Sequence, residues 1–170
     1  MSQVSLWFER RFEFGFPVEL LPNLQSRLRG APARLEELLR RKPEEALKAK
    51  PDGGWSAQEQ AGHLGDLEPL WLARVLDYAA GSEQLTVADL ANRKTDEAQH
   101  NARSLEEVLG EFRVLRAQLL NQIEEADATW FTRAIPHPRM KTPMLLMDHL
   151  YFVAEHDDHH LARIWELVSS

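Results

Sequence analysis

Three places in this sequence carry the chemistry that starts a helix. Ser56 is followed three residues later by Glu59, Ser104 by Glu107, and Thr142 is followed directly by Pro143. In the first two, each side chain can satisfy a backbone N–H that the first helical turn leaves unpaired, which makes a capping box. In the third, proline falls at the first helical position, where its missing N–H does no harm. The pattern predicts helices from Ser56 through about Gly81, from Ser104 to about Ala126 and from Thr142 to about Leu167. Nearer the N-terminus, Pro17 opens a segment to Arg29. Gly30 and Pro32 then predict a break or kink before Arg34–Arg41, and Pro43 starts one further short turn.

Apolar residues recur at three and four along these spans. Leu64, Leu67, Trp71, Val75 and Tyr78 form one stripe; Val108, Phe112, Leu115, Leu119 and Ile123 form the next. Leu145, Leu146, Phe152, Val153, Ile164 and Leu167 line the last. No long period-two alternation competes with them. The fold class is therefore all-α: one domain over residues 1–170, built as a four-helix bundle. The connections 44–55, 82–103 and 127–141 are long enough for crossovers other than simple up-down-up-down, and Val87–Gln99 reads as a short extra helix.

Composition narrows the function classes. There is no Cys among 170 residues, which excludes disulfides, thiolate metal sites and a cysteine nucleophile. The net charge is −7, with ten basic and seven acidic residues in the first 50 and ten against twenty in the rest. That balance argues against a nucleic-acid partner. No apolar run reaches the roughly 20 residues of a membrane span. The N-terminal residues read neither as a secretory signal nor as a solvated tail, because charges interrupt an apolar stretch holding Trp7, Phe8, Phe12, Phe14 and Phe16. The expectation is a cytoplasmic protein whose first 16 residues pack over the bundle or a dimer partner. Most of the five tryptophans are expected in the core, with Trp55 stapling the start of its helix.

Seven histidines remain, and four of them fall between His149 and His160. His156 and His160 are four apart, so a helix places both imidazoles on one face, a turn apart. His63 lies mid-helix at the edge of the Leu64–Tyr78 apolar stripe. If the two helices are neighbours, His63 can complete a three-nitrogen set with an open coordination position, the form of a catalytic site. A lone mid-helix histidine also reads as a hydrogen-bonded core residue, and spacing alone leaves both readings standing. Such a donor set suits zinc, nickel, copper or iron and suits magnesium or calcium poorly. His149 is a candidate fourth ligand or pocket-lining group, and Asp157 and Glu59 are candidates to orient a ligand imidazole, with capping the favoured role for Glu59. His159 is expected to face away, and His100 and His137 lie in connections with little claim on the site.

The segment Trp55–Glu68, with Ser56, Glu59, His63, Leu64 and Asp66 in place, resembles the signature of the DinB/YfiT-like family of metalloenzymes, which is distinct from the DNA polymerase of the same name. His156-Asp157-Asp158-His159-His160-Leu161 is similar to that family's last-helix motif, and Ile135-Pro136-His137-Pro138 is similar to the stretch before it. The order of elements also matches over about residues 20–168. The resemblance implies a four-helix bundle with a divalent ion, zinc or nickel, on His63, His156 and His160. It also implies a homodimer acting on a small molecule, by hydrolysis or by transfer of an external low-molecular-weight thiol. Arg163 stands where members often carry Gln, either to bind an anionic group or to pair with a nearby carboxylate such as Glu166. The alternative is a non-catalytic metal-binding or stress-response bundle.

Overall fold

The computed structural model describes residues 4–51 and 53–169. Both capping boxes form. Ser56 accepts from the Glu59 N–H at 3.2 Å while Glu59 accepts from the Ser56 N–H at 2.9 Å, opening a helix over Ala57–Ala80. Ser104 and Glu107 do the same for Leu105–Glu124. Gly81, at φ 67°, ends the first of these in the left-handed region that glycine enters without steric cost. Counting from the N-terminus, α1 is Leu21–Leu39, α2 Glu44–Lys48, α3 Ala57–Ala80, α4 Arg93–Glu97, α5 Leu105–Glu124, α6 Ala128–Thr132 and α7 Leu146–Ser169. The short turn after Pro43 is α2, and the extra helix within Val87–Gln99 is α4.

Two boundaries differ from the sequence reading. The expected break at Gly30 and Pro32 is absent, and α1 runs unbroken through both. Proline in a helix interior removes one N–H and leaves the carbonyl four residues earlier without its partner. Here that carbonyl belongs to Leu28, and Arg116 of α5 donates to it at 3.0 Å. The freed acceptor is satisfied from across the bundle, so the helix continues. At the other end, Thr142–Pro143 does not start the last helix. Pro143–Met144 pairs antiparallel with Ile135–Pro136 as β2 and β1 of a minimal hairpin. Helix α7 begins at Leu146, where Asp148 accepts from the Leu145 N–H at 2.9 Å and ties down Gly15 and Phe16 as well. A carboxylate in the first turn outcompetes a Thr-Pro start because it also anchors the incoming N-terminal segment.

The bundle consists of α1, α3, α5 and α7. Helix α3 packs on α5 and α7, and α1 packs on the same two, so α1 faces α3 across one diagonal and α5 faces α7 across the other. Ser56 and Gln58 lie beside Asn101 and Arg103, and Gly65 beside Phe112, so α3 and α5 run parallel. Arg27 meets Glu155 and Lys42 meets the carbonyl of Val168, so α1 and α7 also run parallel. His63 lies by His160 and Tyr78 by Met144, making α3 and α7 antiparallel. Parallel neighbours require the long crossovers anticipated from the connection lengths.

The core has two apolar compartments. One holds Leu28, Trp71, Val75, Leu119 and Val153; the other holds Leu35, Leu64, Phe112, Leu161 and Ile164. Between them lies a polar layer in which Arg116 bonds both Glu68 (2.6 Å) and Asp157 (2.6 Å), each at most 2 % exposed. Residues 4–16 run along α7 with Trp7, Phe12, Phe14 and Phe16 against the first compartment and Arg10 paired with Glu155. Trp165, in contrast, is exposed. No helix among the described residues is long and apolar enough to cross a membrane.

Candidate metal centre

His63 comes from the second turn of α3, and His156 and His160 from the middle of α7. The antiparallel packing of those helices brings the three rings together. Each offers one nitrogen, and these atoms all lie within 4.8 Å of one another. All three residues are buried. Ring centroids stand 4.4–5.3 Å apart.

The surrounding hydrogen bonds assign the ring protons. Thr95 of α4 donates its hydroxyl hydrogen to Asp66 at 2.9 Å, so its oxygen is left to accept from His63 Nδ1–H, also at 2.9 Å. His160 Nδ1 lies 2.6 Å from Gln60 Oε1 and donates to it. Both rings therefore turn a bare Nε2 toward the cluster. His156 Nε2 is 3.1 Å from His160 Nε2, and His156 Nδ1 is buried without a partner. Two facing imidazole nitrogens at that distance need a shared proton or a cation between them.

Burial keeps the rings neutral. It pushes His63 down to about 4 and holds His156 and His160 well below the usual histidine range, with the neighbouring imidazoles adding to the effect. Neutral imidazoles are the ligand form. The donor set of three nitrogens, with no thiolate and no carboxylate, fits a borderline divalent transition ion and fits magnesium or calcium poorly.

Several supporting residues were not foreseen. Asp66 collects Thr95 and also His100 Nε2 at 2.8 Å. Burial alone would raise the Asp66 carboxyl, but the bonds from His100 and Thr95 and the nearby Lys94 outweigh it and hold it below its ordinary range. His100 sits in a connection, where spacing offers no hint of its role. Gln60, one turn before His63 on the same helix face, was readable from the pattern in principle. Trp55 lies with its ring 4.6 Å from His63 and its indole N–H on Asp96 at 2.9 Å, so it covers a candidate ligand rather than stapling the helix start.

The other candidates fall elsewhere. Asp157 meets no ligand imidazole, because both its oxygens are held by Arg116 in the polar layer. It follows His156 by one residue, and the helix turns it about 100° away, into the bundle axis. Glu59 is engaged by the Ser56 cap and by Lys50 at 2.7 Å. His149 is fully buried, its Nε2 3.4 Å from the Trp71 carbonyl, and it does not join the cluster. Arg163 bonds Glu166 at 2.9 Å and also lines the cavity described next.

His63, His156 and His160 open onto a cavity of about 770 Å³. Trp7, Trp55, Leu67, Trp71 and Phe152 give it apolar walls, and His159, half-buried against Trp7, lies beside His160. A small molecule fits such a volume. The DinB superfamily model matches residues 27–164, which contain the whole cluster. The chain belongs to the DinB superfamily. Its fold is that of YfiT from Bacillus subtilis, described as a probable metal-dependent hydrolase with an unusual four-helix bundle topology. The two superpose with a TM-score of 0.80 at 20% identity, over 95% of this chain and 93% of that one. No curated protein matches this DinB superfamily chain.

Proposed function

We propose that this DinB superfamily protein is a divalent-metal-dependent enzyme of hydrolase type acting on a small molecule, with zinc or nickel held by His63, His156 and His160. The observation that carries the reading is the convergence of three buried, neutral imidazoles at the wall of a cavity large enough for a substrate. The likeness to YfiT supports the same class of chemistry. A divalent ion held there supplies Lewis acidity and eases deprotonation of water or of a thiol.

The chain's own residues do the rest. Gln60 and Thr95 hold two rings so that Nε2 points inward, which preorganises the ligands before an ion arrives. Trp55 and Trp71 pack against His63 and His156 and give the cavity beside the cluster apolar walls. Three protein ligands leave room for substrate on the cavity side. With no cysteine in the chain, any thiol in the reaction comes from a separate molecule.

Metal analysis of protein purified without a histidine tag tests the reading. One ion per chain is expected, and its loss in His156→Ala. Substoichiometric metal in both would end the proposal. Turnover of ester and amide panels, with and without added low-molecular-weight thiols, then separates hydrolysis from thiol transfer, with His63→Ala as the blank. An ion bound without turnover of any panel member would favour a metal-binding bundle with no catalytic role.

A further inference from the structure

The cavity extends beyond the histidine cluster along α3, and its far end has a chemistry of its own. Arg74 is 2 % exposed and lines it. Its Nε donates to the Thr86 carbonyl at 2.9 Å, and its guanidinium lies 5.6 Å from the Trp71 ring. Among the described residues no carboxylate lies within ion-pair distance of Arg74. A buried guanidinium is ordinarily paired with a carboxylate or phosphate, as Arg116 is in this same molecule.

His137 is 3 % exposed and lines the same cavity. The β1–β2 hairpin bends so that the backbone N–H groups of Arg139 and Met140 both donate to His137 Nδ1 at 3.2 Å. Nδ1 is thus an acceptor and Nε2 carries the hydrogen, yet Nε2–H is buried with no partner. The indole N–H of Trp71 is buried and unpartnered as well. Leaving a buried donor unpaired is destabilising, and here two line one cavity. With them is a cation that Asp77 attracts without forming an ion pair, and Asp77 is itself held by Thr86.

Charge points the same way. In a chain of net charge −7, the cavity lining carries Arg74, Arg139 and Arg163 against Glu9 and Asp89. Arg163 is paired with Glu166 and Arg139 is exposed, which leaves Arg74 as the buried cation. Glu9 and Asp89 are both exposed, and Asp89 is occupied by the Ala91 and Arg93 N–H groups. The mouth is apolar, with Leu6, Phe8, Val87 and Leu90 exposed at its rim.

We propose that Arg74 and His137 form an oxyanion-binding subsite, and that the cavity takes a small molecule with an apolar body and a terminal carboxylate or phosphate. His63 and Arg74 are eleven residues apart on one helix, about 16 Å along its axis. The Trp71 ring lies between them, 5.4 Å from His156. The head group is therefore held at a distance from the cluster, and the apolar body spans the Trp71 and Phe152 walls. Calling this molecule the substrate rests on the metalloenzyme reading above; the subsite itself does not.

Calorimetric titration with octanoate, octyl phosphate, octanol and octylamine tests it, on metal-loaded and on chelator-stripped protein. The expected result is at least tenfold tighter binding of octanoate or octyl phosphate than of octanol or octylamine, in both forms. Whichever of the two anions binds tighter identifies the head group. Arg74→Met should abolish the preference, His137→Phe should weaken it severalfold, and Arg74→Lys should retain most of it. Equal binding of octanol and the anions by the unaltered protein overturns the subsite, and that comparison stands even if Arg74→Met fails to fold. An anion preference that vanishes on stripping, or in His63→Ala, places the oxyanion on the metal. That outcome overturns the subsite and leaves the metal reading intact. A preference retained by a protein that never binds metal does the reverse.

Discussion

Gly62 has no side chain because His100 stands where one would be. A Cβ built on Gly62 would lie 2.3 Å from the His100 ring. The contact matters to the candidate site because His100 holds Asp66, Asp66 orients Thr95, and Thr95 fixes the tautomer of His63. Elsewhere in a helix interior, Gly→Ala stabilises by about 0.5–1 kcal/mol. Here Gly62→Ala is expected to destabilise by about 1–3 kcal/mol through overpacking. In a His100→Ala background the sign should reverse, which a double-mutant cycle by urea unfolding will read directly. An equal cost in both backgrounds would show that the contact is not responsible. Nothing about Gly62 in the sequence reveals this, since the ring it accommodates comes from a connection 38 positions later.

The two capping boxes use the same residues in different surroundings. Ser104 and Glu107 cap α5 in exposed positions, whereas Ser56 is fully buried and also donates to Asn101 at 2.8 Å. Ser104→Ala should cost about 1 kcal/mol and Ser56→Ala close to 2, near the upper end for caps, as measured by thermal or urea unfolding. Equal costs would mean that the Asn101 bond adds nothing. Caps were legible because the chemistry is local: a hydroxyl and a carboxylate three residues apart need no other part of the chain. The same locality explains the two boundary errors. Pro32 looks like a break until Arg116 supplies the lost hydrogen bond, and Thr142–Pro143 looks like a start until the hairpin and the Asp148 anchor claim those residues.

Arg116 joins all four bundle helices, bonding Leu28 of α1, Glu68 of α3 and Asp157 of α7 from its place on α5. The apolar stripe names its neighbour Leu115 as core, yet Leu115 is half-buried and Arg116 is 1 % exposed. Two carboxylates share one guanidinium, so burial pushes Glu68 up to about 7 despite Arg116, and Asp157 is raised as well. A carboxyl raised on folding contributes stability below its unfolded pKa and loses it as pH rises through the folded value. Arg116→Met strips both carboxylates of their cation and raises them further. It is expected to destabilise by about 3–5 kcal/mol near neutrality, with a larger penalty at pH 8 than at pH 5, by urea unfolding at the two values. The same penalty at both would exclude unpaired buried charge as its source.

The sequence by itself determined the two capping boxes with the helices they open, and the His156–His160 pair, because each depends on residues within one or two turns of one another. It also excluded thiolate chemistry through the absence of cysteine. Tertiary structure alone decided which polar residues go inside. Asp157 was drawn into the bundle axis by Arg116, while Thr95, Gln60, Asp66 and His100 were brought to His63 and His160, and Arg74 and His137 to one cavity. The physical reason is that a buried polar group is tolerable only beside its partner, and the crossovers between parallel helices place those partners far apart in the chain.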